Sequence, residues 1–510
     1  MSSTDIEKPP SVERIEDIDK LEIDDVDYDE EFTPAEQRKI IHRVDRRLVT
    51  MAGLAYCISL MDRTNLSMAA VAGMTKDLQL GVGTRYSVVI LVFFIPYVVF
   101  QPPMTVIIRK VGPTLFLGTL VISWGAILVG MGFVKNWKQM VAIRVLLGAL
   151  EAAKQFGSIG TSQVTFPAAC TSCQVGTPDV SCANQHPCIL SDNTDDIQKR
   201  YSVFYLIGCV ASALAGVLAF GLMQMGGIQG ISGWRWIFIM EGVITGAIGL
   251  LTFVFMVDFP EKAHKSWKFL NERESAFIVR RINRDRADGN EEPFTFKRFF
   301  SPALDLKIWG FALICLCSTT VAYAIAYFLP IILQEGMGFS TGASQCLVAP
   351  PYGFAGIVMY TTAWISDRYR MRGPIVAFNA VVGIIGLPLM GFAKGNAARY
   401  VGVFLVVAGA NSNIPAVMAY QANNIRGQWT RAFCSATLIG VGAIGGIISS
   451  LVFQSKDAPE YRPGIWTTIA CNLVTMITVA ALSVWFRYAN KQADRGERVI
   501  EGSSDFRYTI

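Results

Sequence analysis

Long apolar stretches separated by short polar ones set the pattern of this 510-residue chain. The apolar runs fall near 48–70, 85–108, 114–134, 138–153, 202–225, 234–257, 308–333, 342–366, 374–393, 397–420, 430–454 and 464–487. Most approach the ~20 residues that an α-helix needs to cross a hydrocarbon core about 30 Å thick. They are apolar all round, as membrane helices are, and lack the alternation of membrane-barrel strands. The pattern predicts an all-α membrane protein with 12 transmembrane helices. The run at 138–153 is the shortest, because polar residues come directly after Ala153.

Composition agrees with this reading. The chain is 52% hydrophobic and only 17% charged, too little charge to cover a water-soluble protein of this length. The charges are also unevenly placed. Residues 13–36 are strongly acidic, and 1–45 reads as a disordered cytosolic tail with no signal-peptide pattern. Basic residues collect in alternate loops: Arg109 and Lys110, Lys199 and Arg200, Arg368 to Arg372, Arg426 and Arg431, and Arg487 to Arg498. The segment 258–307 is the most basic of all, and the opposite loops carry few such residues. By the positive-inside rule both termini are cytosolic. The loop 258–307 then divides an N-terminal six-helix half (46–257) from a C-terminal one (308–488), with a cytosolic tail at 489–510. Within that loop, Asn271 followed by Glu274 predicts a capped helix at the membrane surface. A faint repeat, "RKVGP" at 109–113 and "RMRGP" at 370–374, closes the second helix of each half. Repeated halves point to a secondary transporter with a central site between them.

Ionisable groups inside such helices cost several kcal/mol, on the order of what a functional role would justify, so each is a candidate. The charged set is Asp62, Arg63, Arg144, Glu151 and Glu241, all in the first half. Asp62 is suited to accept a coupling proton; equally, it can neutralise Arg63 or Arg144. Arg144 can hold a substrate carboxylate with its planar fork, or pair with Glu151 or Asp62. Glu241 fits a structural place beside Arg235. The candidate cavity set is polar and aromatic: Tyr97, Gln101, Tyr205, Tyr323, Tyr327, Tyr352, Asn411, Asn413 and Gln421. Any of these can hydrogen-bond a ligand or a neighbouring helix. No nucleophile with a base, P-loop or metal set is assembled, so an enzyme is not expected. The three histidines, His42, His186 and His264, lie outside the apolar runs, and the isolated cysteines there read as small hydrophobes.

Several motifs together carry a resemblance. "DRTNLSMAAVAGMTKDLQL", "RVLLGALEA", "GWRWIFIMEG", "DFPE" and "SDRYRMRGP" resemble the major facilitator superfamily. With "NNIRGQWTRA" (423–432) they look like the fungal anion:cation symporters, the allantoate, nicotinate and pantothenate permease type. The resemblance runs from about residue 46 to 490 and implies the major facilitator fold. It implies proton-coupled uptake of a small organic anion by alternating access, in a multi-pass plasma-membrane protein. Arg144 and Gly148 match its R-x-x-x-G motif, and Asp367, Arg368 and Arg372 its gating loop; the loop "IIRKVGP" lacks the acidic residue. The implied partners are a small-molecule substrate, a proton and the lipid bilayer, with the chain a monomer and no cofactor, metal or nucleic acid required. Export of a secondary metabolite is the alternative use of the same fold; a non-transporting nutrient sensor is a second alternative. The absence of proline from "YLIGCVASALAGVLAFGL" favours uptake, since exporters carry a Gly-Pro-rich motif there.

One segment breaks the resemblance. Residues 152–196 are an anomalous insert in which Cys170, Cys173, Cys182 and Cys188 crowd among polar residues. The spacing is poor for zinc, and a cytosolic loop keeps its thiols reduced. The codons of "PAACTSCQVGTPD" (167–179), displaced by two bases, can encode GCMYVLSSWYTR, which resembles the family's missing end of helix 4. The insert therefore reads as mis-spliced or frame-shifted. Sequencing the spliced transcript checks this: the expected messenger restores that frame, and abundant messenger encoding 151–202 unaltered overturns it.

Overall fold

The computed structural model describes residues 32–165, 197–256, 269–278, 300–426, 428–454, 457–458, 460–501 and 506–510. The cysteine-rich part of the insert and most of the central loop lie outside them. Residues 1–46 and 47–510 are separate compact units. The described part of the first unit, 32–46, is the opening of helix α1 (Pro34–Ala69). This corrects the disorder expected up to residue 45. Thr33 and Glu36 form a capping box: the Glu36 carboxylate accepts from Thr33 N at 2.9 Å and from its hydroxyl at 2.8 Å. With Pro34 as the first helical residue, the start is well specified.

The helices continue as α2 (Arg85–Val111), α3 (Pro113–Met131), α4 (Trp137–Thr165), α5 (Ile197–Met223) and α6 (Gly233–Phe255). The second half supplies α7 (Leu306–Ile331), α8 (Ala349–Tyr369), α9 (Gly373–Phe392), α10 (Asn396–Asn423), α11 (Gln428–Val452) and α12 (Arg462–Asp494). Each stands at one of the predicted apolar runs. Among the described residues, 8 helices are long and apolar enough to cross a membrane on length and composition alone. α1, α2, α4 and α8 are not among them; α1 and α4 hold Asp62, Arg63, Arg144 and Glu151, which lower their hydropathy. α4 does not stop at Ala153 as its composition suggests; its backbone stays helical to Thr165. In the central loop, Asn271 N donates to Glu274 at 2.9 Å, the expected cap, on a helix described over 272–278.

The faint repeat has a structural counterpart. Gly112, at φ 93°, precedes Pro113 at the start of α3, and Gly373-Pro374 opens α9. A second correspondence is not visible in the letters: α1 and α7, the first helix of each half, both run into a π-helical turn (Ala70–Met74 and Ile332–Gly336). Gly73 reaches φ 115° there, a conformation open to glycine without strain. Hydrogen bonds join the halves at this end, away from the basic loops. Ser87 donates to Phe453 O (3.3 Å), Tyr86 to Tyr327 O (3.1 Å) and the Gln345 amide to Met68 O (3.1 Å).

Gly148 fixes how α4 meets α2. A Cβ at this position would lie 2.1 Å from the Phe93 carbonyl oxygen, so only glycine permits the approach. Arg144 is one turn earlier on the same face and lies 5.7 Å from the Phe93 ring. The R-x-x-x-G spacing thus places a guanidinium beside the helix contact that the glycine allows. Gly148→Ala should destabilise the protein by about 1–3 kcal/mol through overpacking. Gly130→Ala on α3, where a Cβ meets nothing within 4 Å, should be neutral. Thermal melting followed by size-exclusion chromatography compares the two.

Candidate functional site

A cavity of about 150 Å³ is walled by α1, α2, α5, α7, α8, α10 and α11. Helical spacing brings its residues to one face of each helix: Tyr56, Ser59 and Arg63 on α1, and Thr319, Tyr323 and Tyr327 on α7. Tyr205, Cys209 and Ser212 do the same on α5, and Tyr97, Tyr352 and Asn411 complete the polar wall. Among the described residues, Arg63 is the one charged residue that lines it.

The Arg63 guanidinium is only 8% exposed. Its Nε donates to Glu151 Oε1 at 2.6 Å, and an Nη donates to the Tyr323 hydroxyl at 3.1 Å. The Ser59 hydroxyl adds a 2.8 Å bond to the same Glu151 oxygen. Aromatic faces surround the cation, with Tyr97 at 5.3 Å, Phe93 at 5.9 Å and Tyr323 at 6.0 Å. A charge-assisted bond, a hydroxyl and π faces together offset the loss of water around a buried cation. The pair also joins three helices, since Arg63 is on α1, Glu151 on α4 and Tyr323 on α7.

A second group of charges lies behind this wall. Asp62 accepts from Asn65 Nδ2 and from the Thr245 hydroxyl, both at 3.3 Å. Glu241 on α6 is 3% exposed, lies within electrostatic reach of Asp62, and has no hydrogen-bond partner for either oxygen among the described residues. Arg235, its expected neighbour, instead donates to Gly132 O at 2.9 Å. Arg144 is 1% exposed, forms no ion pair among the described residues, and leaves Nε and one Nη without partners there. The pairing of Arg144 with Glu151 is therefore not what the structure forms; Glu151 turns to Arg63, within 2.6 Å.

Of the predicted cavity residues, Tyr97, Tyr205, Tyr323, Tyr327, Tyr352 and Asn411 do line the space. Asn413 and Gln421 do not. Asn413 is two positions beyond Asn411, about 200° around the helix, so it faces away. Gln421 is ten positions beyond Asn411, on the order of 15 Å along the axis. The Gln101 side chain is outside the described residues. Tyr56, Ser59, Thr64, Ser212 and Thr319 line the cavity without standing out in the sequence, although Ser59 and Thr319 stand one helical turn from Arg63 and Tyr323, and Tyr56 and Ser212 two turns from Arg63 and Tyr205, which keeps them on the same faces.

The predicted gating loop forms a separate cluster at the end of α8. Arg372 pairs with Asp367, both about 1% exposed on their side chains, and donates to the Ser366 hydroxyl at 3.1 Å. The Asn423 amide, turned with its oxygen toward Arg372, accepts from Nε at 3.0 Å and Nη2 at 3.3 Å. Arg368 is exposed and stands apart from this cluster.

Comparison with known proteins agrees with this architecture. The family model described as Major Facilitator Superfamily matches residues 52–158 and 189–450, breaking off within the anomalous insert. The major facilitator-type transporter hxnP of Emericella nidulans is 29% identical over 516 residues, covering 99% of this chain and 96% of its own. The high-affinity nicotinic acid transporter of Saccharomyces cerevisiae is 27% identical over 457 residues, covering 89% of this chain and 79% of its own. Among solved structures, an inward-facing bacterial homologue of the human lysosomal transporter Spinster superposes with a TM-score of 0.59. That match is 12% identical and covers 85% of this chain and 95% of the other.

The cavity hydroxyls separate structural from free donors. The Tyr327 hydroxyl is buried without a partner among the described residues, whereas that of Tyr323 accepts from Arg63. Tyr327→Phe should leave thermal stability unchanged within ~0.5 kcal/mol, and Tyr323→Phe should cost about 1–2 kcal/mol. Melting curves of the purified variants check both.

Proposed function

The chain belongs to the Major Facilitator Superfamily, and from that premise we propose that it is a plasma-membrane, proton-coupled importer of a small, flat organic anion. The observation that carries the reading is the Arg63–Glu151 bond of 2.6 Å at the cavity wall. Arg63 is the single charged residue among the described lining, and an internal carboxylate already occupies its Nε. A substrate carboxylate can take that place only if Glu151 lets go. Protonation of Glu151 removes the competing charge, so proton and anion enter the site together. That is symport expressed as an exchange of partners on one guanidinium.

The remaining groups fit supporting roles. Among its described residues the first half buries two guanidiniums, Arg63 and Arg144, against three carboxyls, Asp62, Glu151 and Glu241. One carboxyl is in excess of the guanidiniums, which gives the set a place for a transferable proton. Arg144, which shares the Phe93 ring with Arg63, is a reserve positive charge that stabilises whichever carboxylate is ionised. The stacked Tyr323 and Tyr327 rings, 6.3 Å between centroids, with Phe94 edge-on at 5.0 Å, provide faces for a planar ring acid. The named activity of the yeast relative, nicotinic acid transport, makes nicotinate the first substrate to assay. The bonds between Ser87 and Phe453 and between Gln345 and Met68 close the end away from the basic loops, as an inward-facing stage requires. Asp367 and Arg372 would govern the opposite end.

Uptake of radiolabelled nicotinate in a transport-deficient yeast tests the reading. Arg63→Lys should lower uptake at least about tenfold, because a point charge does not replace the fork. Glu151→Gln should keep substrate exchange but lose accumulation that a protonophore can abolish. Wild-type uptake insensitive to a protonophore would sink the symport reading.

A further inference from the structure

The last described residues of the chain, 506–510, lie at the basic-loop end of the second half and are held far more closely than a cytosolic tail needs to be. They have no helix or strand to satisfy their backbone. Instead, side-chain amides bond them in consecutive steps. Asn490 on α12 donates to Tyr508 O at 2.8 Å and accepts from Tyr508 N at 2.9 Å. Asn424, just past α10, donates to Thr509 O at 3.1 Å and accepts from Thr509 N at 2.8 Å. The backbone N–H of Arg372 then donates to Ile510 O at 2.9 Å. An amide carries a donor and an acceptor in one plane, so each asparagine reads one residue's backbone through both its N–H and its C=O.

Side chains anchor the same segment. The Tyr508 ring stacks on Phe486 with centroids 4.4 Å apart and planes 22° apart. Its hydroxyl donates to Glu501 at 3.1 Å, and Lys307, at the start of α7, pairs with Glu501 and Asp305. The Arg426 guanidinium lies 5.3 Å over the Phe506 ring. The segment thereby ties the ends of α7, α10 and α12 to the turn between α8 and α9.

That turn holds Arg372, and Asp367 stands beside it in the last turn of α8. Arg372 grips Asp367, Ser366 and Asn423 with its side chain while its backbone grips Ile510. Asn423 and Asn424 are neighbours in sequence and serve the gate and the tail respectively. We propose that Phe506–Ile510 is a strap, seated in a peptide-binding cleft of the second half, that fixes the Asp367–Arg372 turn. Displacing the strap frees the turn without unfolding the half. Asn424 is fully buried and loses two of its three side-chain hydrogen bonds when the strap leaves, so the cleft favours being filled. Recognition through the backbone, with Tyr508 as the buried ring and Phe506 edge-on beside it, suits an extended peptide bearing an aromatic anchor. The strap is independent of which solute the protein carries.

Amide hydrogen exchange of the purified protein tests this without any substrate. The comparison is the full chain, a variant lacking 506–510, and Asn490→Leu in the full chain. Both variants should speed exchange over 366–373 by about tenfold, the equivalent of one hydrogen bond, and leave 114–131 in the first half unchanged. Adding the acetylated, amidated peptide Phe-Arg-Tyr-Thr-Ile to the truncated protein should restore protection, and a scrambled peptide should not. Unchanged exchange over 366–373 overturns the proposal. Acceleration spread through 114–131 also overturns it, because the segment would then serve general folding. Equal rescue by the scrambled peptide overturns the cleft's selectivity and with it the strap.

Discussion

Everything in the first half is arranged around one requirement: a guanidinium facing a membrane cavity must have its charge answered locally. An unpaired cation there would cost several kcal/mol, on the order of a small domain's whole stability. Arg63 meets the requirement with Glu151 from α4, Tyr323 from α7 and the ring faces of Tyr97 and Phe93. These partners come from different helices, so the pair fixes α1 against α4 and both against the second half. The close approach of α4 to α2 at Gly148 sets the height at which Glu151 arrives, three residues further along. A tight helix contact and a buried ion pair are thus parts of one constraint.

The fold was legible because its main signal is a one-dimensional one. An apolar run of about 20 residues ends where charge begins, and the helices fall at the predicted runs. The misses have specific causes. α1 begins at Pro34 because Thr33, Pro34 and Glu36 make a start signal that the surrounding acidic composition obscured. α4 continues to Thr165 because backbone hydrogen bonding propagates into polar sequence once a helix is formed. The π turns that end α1 and α7 correspond in position but share no motif, so nothing in the letters marks them.

The candidate site was legible in membership and not in pairing. Every intramembrane charge that sequence singled out is buried, yet which carboxylate answers which guanidinium depends on helix rotation. Glu151 could reach Arg144 along α4 by spacing, but rotation turns it across to Arg63. The same geometry sorts Asn411 from Asn413: two residues apart in sequence, they face opposite ways on α10. The strap was invisible for a different reason. Asn424 and Asn490 bond backbone atoms of the tail, and recognition of a backbone leaves no pattern in the sequence recognised.

The break in the family match falls where the charge network can tolerate it. The family match stops at residue 158 and resumes at 189, while Glu151 lies seven residues before the break. Arg144, Gly148 and Glu151 all precede it, so the contact with α2 and the bond to Arg63 need nothing from beyond Ala152. The sequence after Ala153 is polar, with Lys154, Gln155 and Ser158 in place of an apolar helix end. Such residues cost free energy against lipid and are tolerated where they meet water or protein. The cavity is built by residues upstream of the break and by helices whose sequence is unbroken.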